Sequence, residues 1–97
     1  MQMHNPMHPG EVISSAYLEP PNISGRTLAQ KLDVDPSTVT RLLSGKSRIT
    51  EDMALRLHVV LGRTPESWLA MQNQYSLWHA RQRFDSKKLS PLETVLA

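Results

Sequence analysis

The chain has 97 residues, enough for one compact domain and too few for two. It has no cysteine and no apolar run long enough to span a bilayer, which argues against a disulfide-stapled secreted module or a membrane-spanning protein and makes the cytoplasm the expected location. Formal net charge is only +2, but the cations are unevenly spread: Arg26, Lys31, Arg41, Lys46 and Arg48 face Asp33 and Asp35 within residues 24–48, and Arg81, Arg83, Lys87 and Lys88 surround Asp85. With two Trp, two Tyr and one Phe, the core has to come mostly from Leu, Val, Ile, Met and Ala.

Residues 1–8 (MQMHNPMH) have no periodicity and read as a flexible N-terminal tail. Pro9-Gly10-Glu11 opens a first helix, because Pro suits the first turn and Glu complements the positive end of the helix dipole. Val12, Ile13, Ala16 and Tyr17 then recur at helical spacing until Pro20-Pro21-Asn22 stops the run. Ser24 is an N-cap for a second helix whose apolar stripe is Leu28, Ala29 and Leu32. Asp33-Val34-Asp35 leaves room only for a tight turn. Asp35 followed by Pro36 starts a third helix, with Val39, Leu42 and Leu43 on its buried face and Gly45 at its end.

Thr50 caps a fourth helix that turns Met53, Ala54, Leu57, Val60 and Leu61 inward and closes at Gly62. Thr64-Pro65-Glu66 repeats the cap-then-Pro signal. The fifth helix carries Trp68, Leu69, Met71, Gln72, Tyr75, Leu77 and Trp78 and runs to about Arg83. Residues 84–97, which include Pro91, form a C-terminal extension. With no repeat and no strand-like alternation, the expected fold is all-α, five helices with short turns in residues 9–83.

Function points to the stretch SGRTLAQKLDVDPSTVTRLLSGK, Ser24 to Lys46. Two short helices can cross steeply through a tight turn only if their contact point is small, and Ala29 sits there. Leu28, Leu32, Val34, Val39 and Leu42 bury beneath the pair. Between them fall Ser37, Thr38, Thr40, Arg41 and Ser44, and no acidic residue occurs from Pro36 to Lys46. A solvated helix usually mixes Glu and Asp among its cations, whereas a helix with one apolar face and one face of short hydrogen-bonding groups plus an Arg fits a DNA major groove.

Arg41 suits direct base reading, since its planar fork matches the two acceptors of guanine; a phosphate contact or a surface ion pair is the alternative. Ser37 and Thr38 are candidates for bases or phosphates, and Thr40 offers thymine a methyl or a base edge a hydroxyl. Ser44, Lys46 and Arg48 come after the helix and would line the phosphate backbone, with ordinary surface charge as the alternative for Arg48.

This arrangement resembles the helix-turn-helix of phage-repressor-like regulators at Ala29, Leu32, Val34, Val39 and Leu42. It departs from them at Asp33, where the family usually has a left-handed Gly; Asp tolerates that conformation better than most residues. The resemblance implies that Ser24, Gly25 and Arg26, opening the second helix, direct their amides at a phosphate. Three longer phrases, HPGEVISSAYLEPPNISGRTLAQKLDV, VTRLLSGKSRIT and LGRTPESWLAMQNQYSLWHAR, resemble the HigA family of antitoxins, also called VapI-like regulators, over about residues 8–82. That resemblance implies a homodimeric repressor bound to a palindromic operator and, in many members, capture of a HigB-type RNA-cleaving toxin. Neutralising such a toxin is the alternative main role.

The fifth helix is apolar around more of its surface than one small core needs, which marks an interaction face. Trp68 and Leu69 suit packing on helices one and four, and Met71, Tyr75 and Trp78 are the candidate dimer contacts. Two recognition helices would then lie one DNA turn apart, about 34 Å. An enzyme is not expected: cysteine, a Gly-rich phosphate loop, HExxH and a nucleophile–base pair are all missing from the sequence. No cofactor is expected either. His4 and His8 share the tail and could chelate weakly, but no third ligand is evident. His58 and His79 read as surface or core-edge groups.

Overall fold

A computed structural model describes residues 5–92. The chain forms α1 (Pro9–Val12), continued without a break by a π-helical segment (Ile13–Leu18), then α2 (Gly25–Leu32), α3 (Pro36–Leu43), α4 (Glu51–Leu61) and α5 (Pro65–Arg83). Among the described residues there are no strands.

The caps reflect local chemistry. Ser24 Oγ accepts the Thr27 N–H at 3.1 Å, Thr50 Oγ1 accepts that of Met53 at 3.3 Å and Thr64 Oγ1 that of Ser67 at 3.0 Å. Satisfying one orphan amide at each start contributes about 1 kcal/mol per helix. Asp35 occupies the N-cap position of α3, yet its carboxylate caps no backbone amide and instead accepts the Ser37 hydroxyl at 3.1 Å.

Two differences from the sequence-based expectation lie in the first helix. Its N-cap is His8, a residue assigned to the tail by its sequence context: the side chain accepts the Gly10 N–H, and Glu11 reaches back to the His8 N–H, a closed capping box. His8 is buried, its other ring nitrogen meets the Ser47 carbonyl at 3.0 Å, and the weak chelate with His4 is therefore not available to it. His4 itself lies outside the described residues, as do residues 93–97 of the C-terminal extension. The second difference is register. From Ile13 to Leu18 the hydrogen bonds run i to i+5, as in Glu19 N–H to Ser14 O at 2.9 Å, so Ile13 and Leu18 share the inward face while Ala16 is exposed.

The core joins Ile13, Leu18, Leu28, Ala29, Leu32, Val39, Leu42, Ile49, Met53, Ala54, Leu57 and Trp68. Trp68 is fully buried, tilts against Tyr17, and donates its indole N–H to the Gly62 carbonyl at 2.9 Å. That bond removes the polar penalty of burying an indole. The molecule measures 54 × 24 × 22 Å, and residues 81–92 are exposed throughout, so the last turn of α5 and the segment after it stand clear of the packed body.

Candidate nucleic-acid interface

Helices α2 and α3 meet through Asp33, Val34 and Asp35. Asp33 adopts the left-handed conformation (φ 58°, ψ 49°), and its N–H and that of Val34 return to the last turn of α2. The two helices are close: a Cβ added to Gly25 would touch Leu43 and Val39 of α3 at 3.5 and 3.6 Å. Ala29 is 1% exposed, in keeping with a crossing that admits only a small side chain.

One long-range contact holds the turn, and no local sequence signal pointed to it. Arg56 of α4 donates from Nη1 to the Leu32 carbonyl at 2.7 Å and to the Asp33 carbonyl at 3.2 Å. Its Nε pairs with Asp52 at 2.8 Å, one helical turn earlier, and that carboxylate holds the guanidinium above its ordinary pKa. A charged donor thus satisfies carbonyls that the end of α2 leaves without intrahelical partners.

Val39 and Leu42 hold α3 against the core, leaving Ser37, Thr40, Arg41 and Ser44 exposed and Thr38 half-buried. The hydroxyls are parked on nearby acceptors: Ser37 donates to the Asp35 carboxylate at 3.1 Å, Thr40 to the Pro36 carbonyl at 3.1 Å and Ser44 to that of Arg41 at 3.2 Å. Arg41 is exposed and, among the described residues, has no ion-pair partner.

Beyond α3 the chain closes in a Schellman turn: the Lys46 N–H bonds the Arg41 carbonyl at 2.9 Å, and that of Gly45 (φ +79°) bonds the Leu42 carbonyl at 3.1 Å. Ser44, Lys46 and Arg48 are exposed on this turn. At the start of α2 the Ser24 cap serves Thr27, leaving the amides of Gly25 and Arg26 without an intrahelical partner, with the Arg26 side chain exposed beside them. The exposed face of α3 therefore carries no acidic residue of its own from Pro36 to Lys46, the nearest carboxylate being that of Asp35 at the N-cap, which takes up the Ser37 hydroxyl, and it is flanked by two groups of positive or hydrogen-donating character.

A helix-turn-helix family model matches residues 15–69. The HTH-type transcriptional regulator YddM of Escherichia coli (strain K12) is 40% identical over 94 residues, which cover 97% of this chain and 99% of that protein. Antitoxin HigA-1 of Vibrio cholerae serotype O1 is 36% identical over 89 residues, 90% of this chain and 84% of its own. The chain belongs to the HigA family of helix-turn-helix regulators. The solved structure of antitoxin GraA matches at a TM-score of 0.86 and 32% identity, covering 93% of this chain and 100% of that one. GraA in complex with its operator matches at 0.76 and 35%, covering 84% of this chain and 83% of that one.

The candidate dimer residues of this HigA-type chain have contacts of their own. Met71 packs against the core, the Tyr75 ring lies against His8 and His79, and Trp78 stacks edge-on with His79. All three are half-buried, and the neighbouring Leu77 is 51% exposed. Among the described residues no helix is long and apolar enough to cross a membrane, and no three His, Cys, Asp or Glu side chains group as a metal site would require.

Proposed function

We propose that this HigA-type regulator represses its own promoter as a homodimer, each protomer laying α3 in the major groove of one half of a palindromic operator. The carrying observation is the exposed face of α3: short hydroxyl side chains and an exposed Arg41, without an acidic residue, held outward by Val39 and Leu42. In this reading Arg41, Ser37, Thr38 and Thr40 meet base edges. Ser24, Gly25 and Arg26 on one side and Ser44, Lys46 and Arg48 on the other meet phosphates. Phosphate contacts set register and affinity, while base contacts set sequence preference. The relative GraA, solved with its operator, supports the same use of this fold.

Met71, Tyr75 and Trp78 are the proposed dimer face. Its support is the half-exposed apolar surface that α5 retains after packing on its own core, extended by Leu77. A DNA-bound regulator of this kind works in the cytoplasm. The test is a footprint on the chain's own promoter with Arg41→Ala and Lys46→Ala alongside. Arg41→Ala should lose about 1–3 kcal/mol and relax preference at one base pair in each half-site, and Lys46→Ala should weaken all DNA alike and flatten the salt slope. An unprotected promoter, or an Arg41→Ala footprint identical to wild type, rejects the assignment.

A second reading, capture of a HigB-type toxin, draws on relatives named as antitoxins and on Leu55 and Val59, which leave apolar surface on α4 at 56% and 80% exposure. Co-expression with the product of the adjacent gene, then pull-down, decides it.

A further inference from the structure

Among the described residues two polar side chains are buried, His8 and Gln72, and both are tied to the same short piece of backbone. His8 Nδ1 accepts the Gly10 N–H at 2.9 Å. The ring proton therefore sits on Nε2, which donates to the Ser47 carbonyl at 3.0 Å across 39 residues of sequence. Gln72 of α5 takes the Ile49 N–H on its Oε1 at 2.8 Å and donates its own amide to Ser76 at 3.0 Å. The His8 ring is braced by packing as well. Tyr75 meets the His8 ring edge-on at 4.8 Å between centroids, and the Gly45 Cα region lies against the same ring, at 3.7 Å for an added Cβ.

Ser47 and Ile49 alternate with Lys46 and Arg48, whose side chains stay exposed. Fixing the backbone at 47 and 49 from beneath therefore aims 46 and 48 outward. We propose that His8 and Gln72 are positioning residues for DNA binding: a neutral, buried pair of hydrogen bonds that presets the loop Ser44–Arg48 to meet phosphates. The proposal rests on the DNA-binding reading of α3. A loop ordered before contact loses less conformational freedom on binding, so each phosphate contact it makes is stronger than the same cation would make on a loose strand.

The ring offers two separable substitutions. His8→Asn keeps an acceptor near Nδ1 for the helix cap but cannot reach Ser47. His8→Gln keeps a donor with the reach of Nε2 but gives up the cap. Binding of the promoter fragment is measured against salt for both, well below each protein's Tm, with Lys46→Ala as reference. His8→Asn should retain wild-type helix content yet bind about fivefold more weakly, the size expected for one lost hydrogen bond, with a flatter salt slope like that of Lys46→Ala. His8→Gln should recover the wild-type slope, and Gln72→Met should resemble His8→Asn.

A His8→Asn chain that is folded and binds within twofold of wild type at an unchanged slope overturns the proposal while leaving the DNA-binding reading intact. A wild-type chain that leaves the promoter bare overturns both. Should His8→Asn lack wild-type helix content, His8→Gln carries the decision, and a slope flattened to that of Lys46→Ala rejects the role.

Discussion

The two ends of the recognition helix are held in place by opposite means. At its start, the turn Asp33–Asp35 is gripped from outside by a charged and partly exposed Arg56, itself steadied by the exposed carboxylate of Asp52. At its end, the loop after Leu43 is gripped from within by neutral, buried groups, His8 and Gln72, and the last residues of the helix, Leu42 and Leu43, by the close approach of Gly10. An ionic grip weakens with salt, and a buried neutral one answers to packing and to protonation. The same helix should thus fail in different ways at its two ends.

The largest effect should come from packing at the far end. A Cβ on Gly10 would overlap the Leu42 carbonyl oxygen and press on the backbone of Leu43, neither of which can swing aside as a side chain can. Gly10→Ala should cost about 1–3 kcal/mol, toward the upper end because backbone must move, and Gly10→Val more. Thermal unfolding measures it. A Gly10→Ala protein as stable as wild type would mean that α1 and α3 have room to part and that the buried grip is loose.

Next comes the ionic grip. Arg56→Lys keeps the charge and can still pair with Asp52, but one ammonium cannot replace a planar fork that serves two carbonyls and a carboxylate together. It should lower Tm almost as far as Arg56→Ala, by less than Gly10→Ala does. Raising salt should narrow the gap between wild type and Asp52→Asn, whereas the gap between wild type and Gly10→Ala should stay constant. Equal salt responses at both ends would erase the contrast between them.

Much of this frame was legible in the sequence because its signals are local. Ser24, Thr50 and Thr64 cap amides three residues ahead, Gly45 ends α3 in a positive-φ turn, and the spacing of Leu28, Ala29, Leu32, Val39 and Leu42 settles which face is buried. What escaped is nonlocal or a matter of register. Arg56 meets its carbonyls 24 and 23 residues away, and Gln72 meets Ile49 at 23. The i to i+5 bonds of Ile13–Leu18 replace Ala16 by Leu18 on the inward face, a choice that 3.6-residue periodicity does not contain. His8 misled for a related reason: a residue ahead of Pro9 looks like the last of a tail until its two ring nitrogens find partners from opposite directions. The outward face of α3 is written in that helix's own residues, but the groups that aim its flanking loop come from the start of α1 and from α5.

Acid sharpens the comparison from the other side. Burial pushes the His8 pKa below its ordinary 6.5, against the opposing pull of the Ser47 carbonyl and the Glu11 carboxylate. Well above 6.5 the imidazole is neutral in both folded and unfolded chains, and its contribution to stability is complete. As pH falls from there through the lower folded value, the unfolded chain takes up a proton that the folded one resists, and that stability is lost. Protonation would also turn Nδ1 from an acceptor into a donor facing the Gly10 N–H. Melting curves between about pH 8 and about pH 5 should fall more steeply for wild type than for His8→Asn, which cannot titrate there. Parallel curves would assign the acid response to other groups.

The smallest expected effect isolates backbone strain at the ionic end. Asp33 holds φ 58° as a non-glycine residue, and its carboxylate adds to the field that favours the Arg56 cation. Asp33→Gly relieves the left-handed strain but frees the unfolded chain, so the net gain should be only about 0.5–1 kcal/mol. Asp33→Asn tolerates the same conformation and removes only the charge, so it should leave Tm nearly unchanged, because Arg56 bonds the backbone of residue 33 and takes its ion pair from Asp52. If Asn lowers Tm while Gly raises it, the Asp33 charge is itself part of the grip on the turn. If both raise it equally, the conformation carries nothing and the charge was a burden.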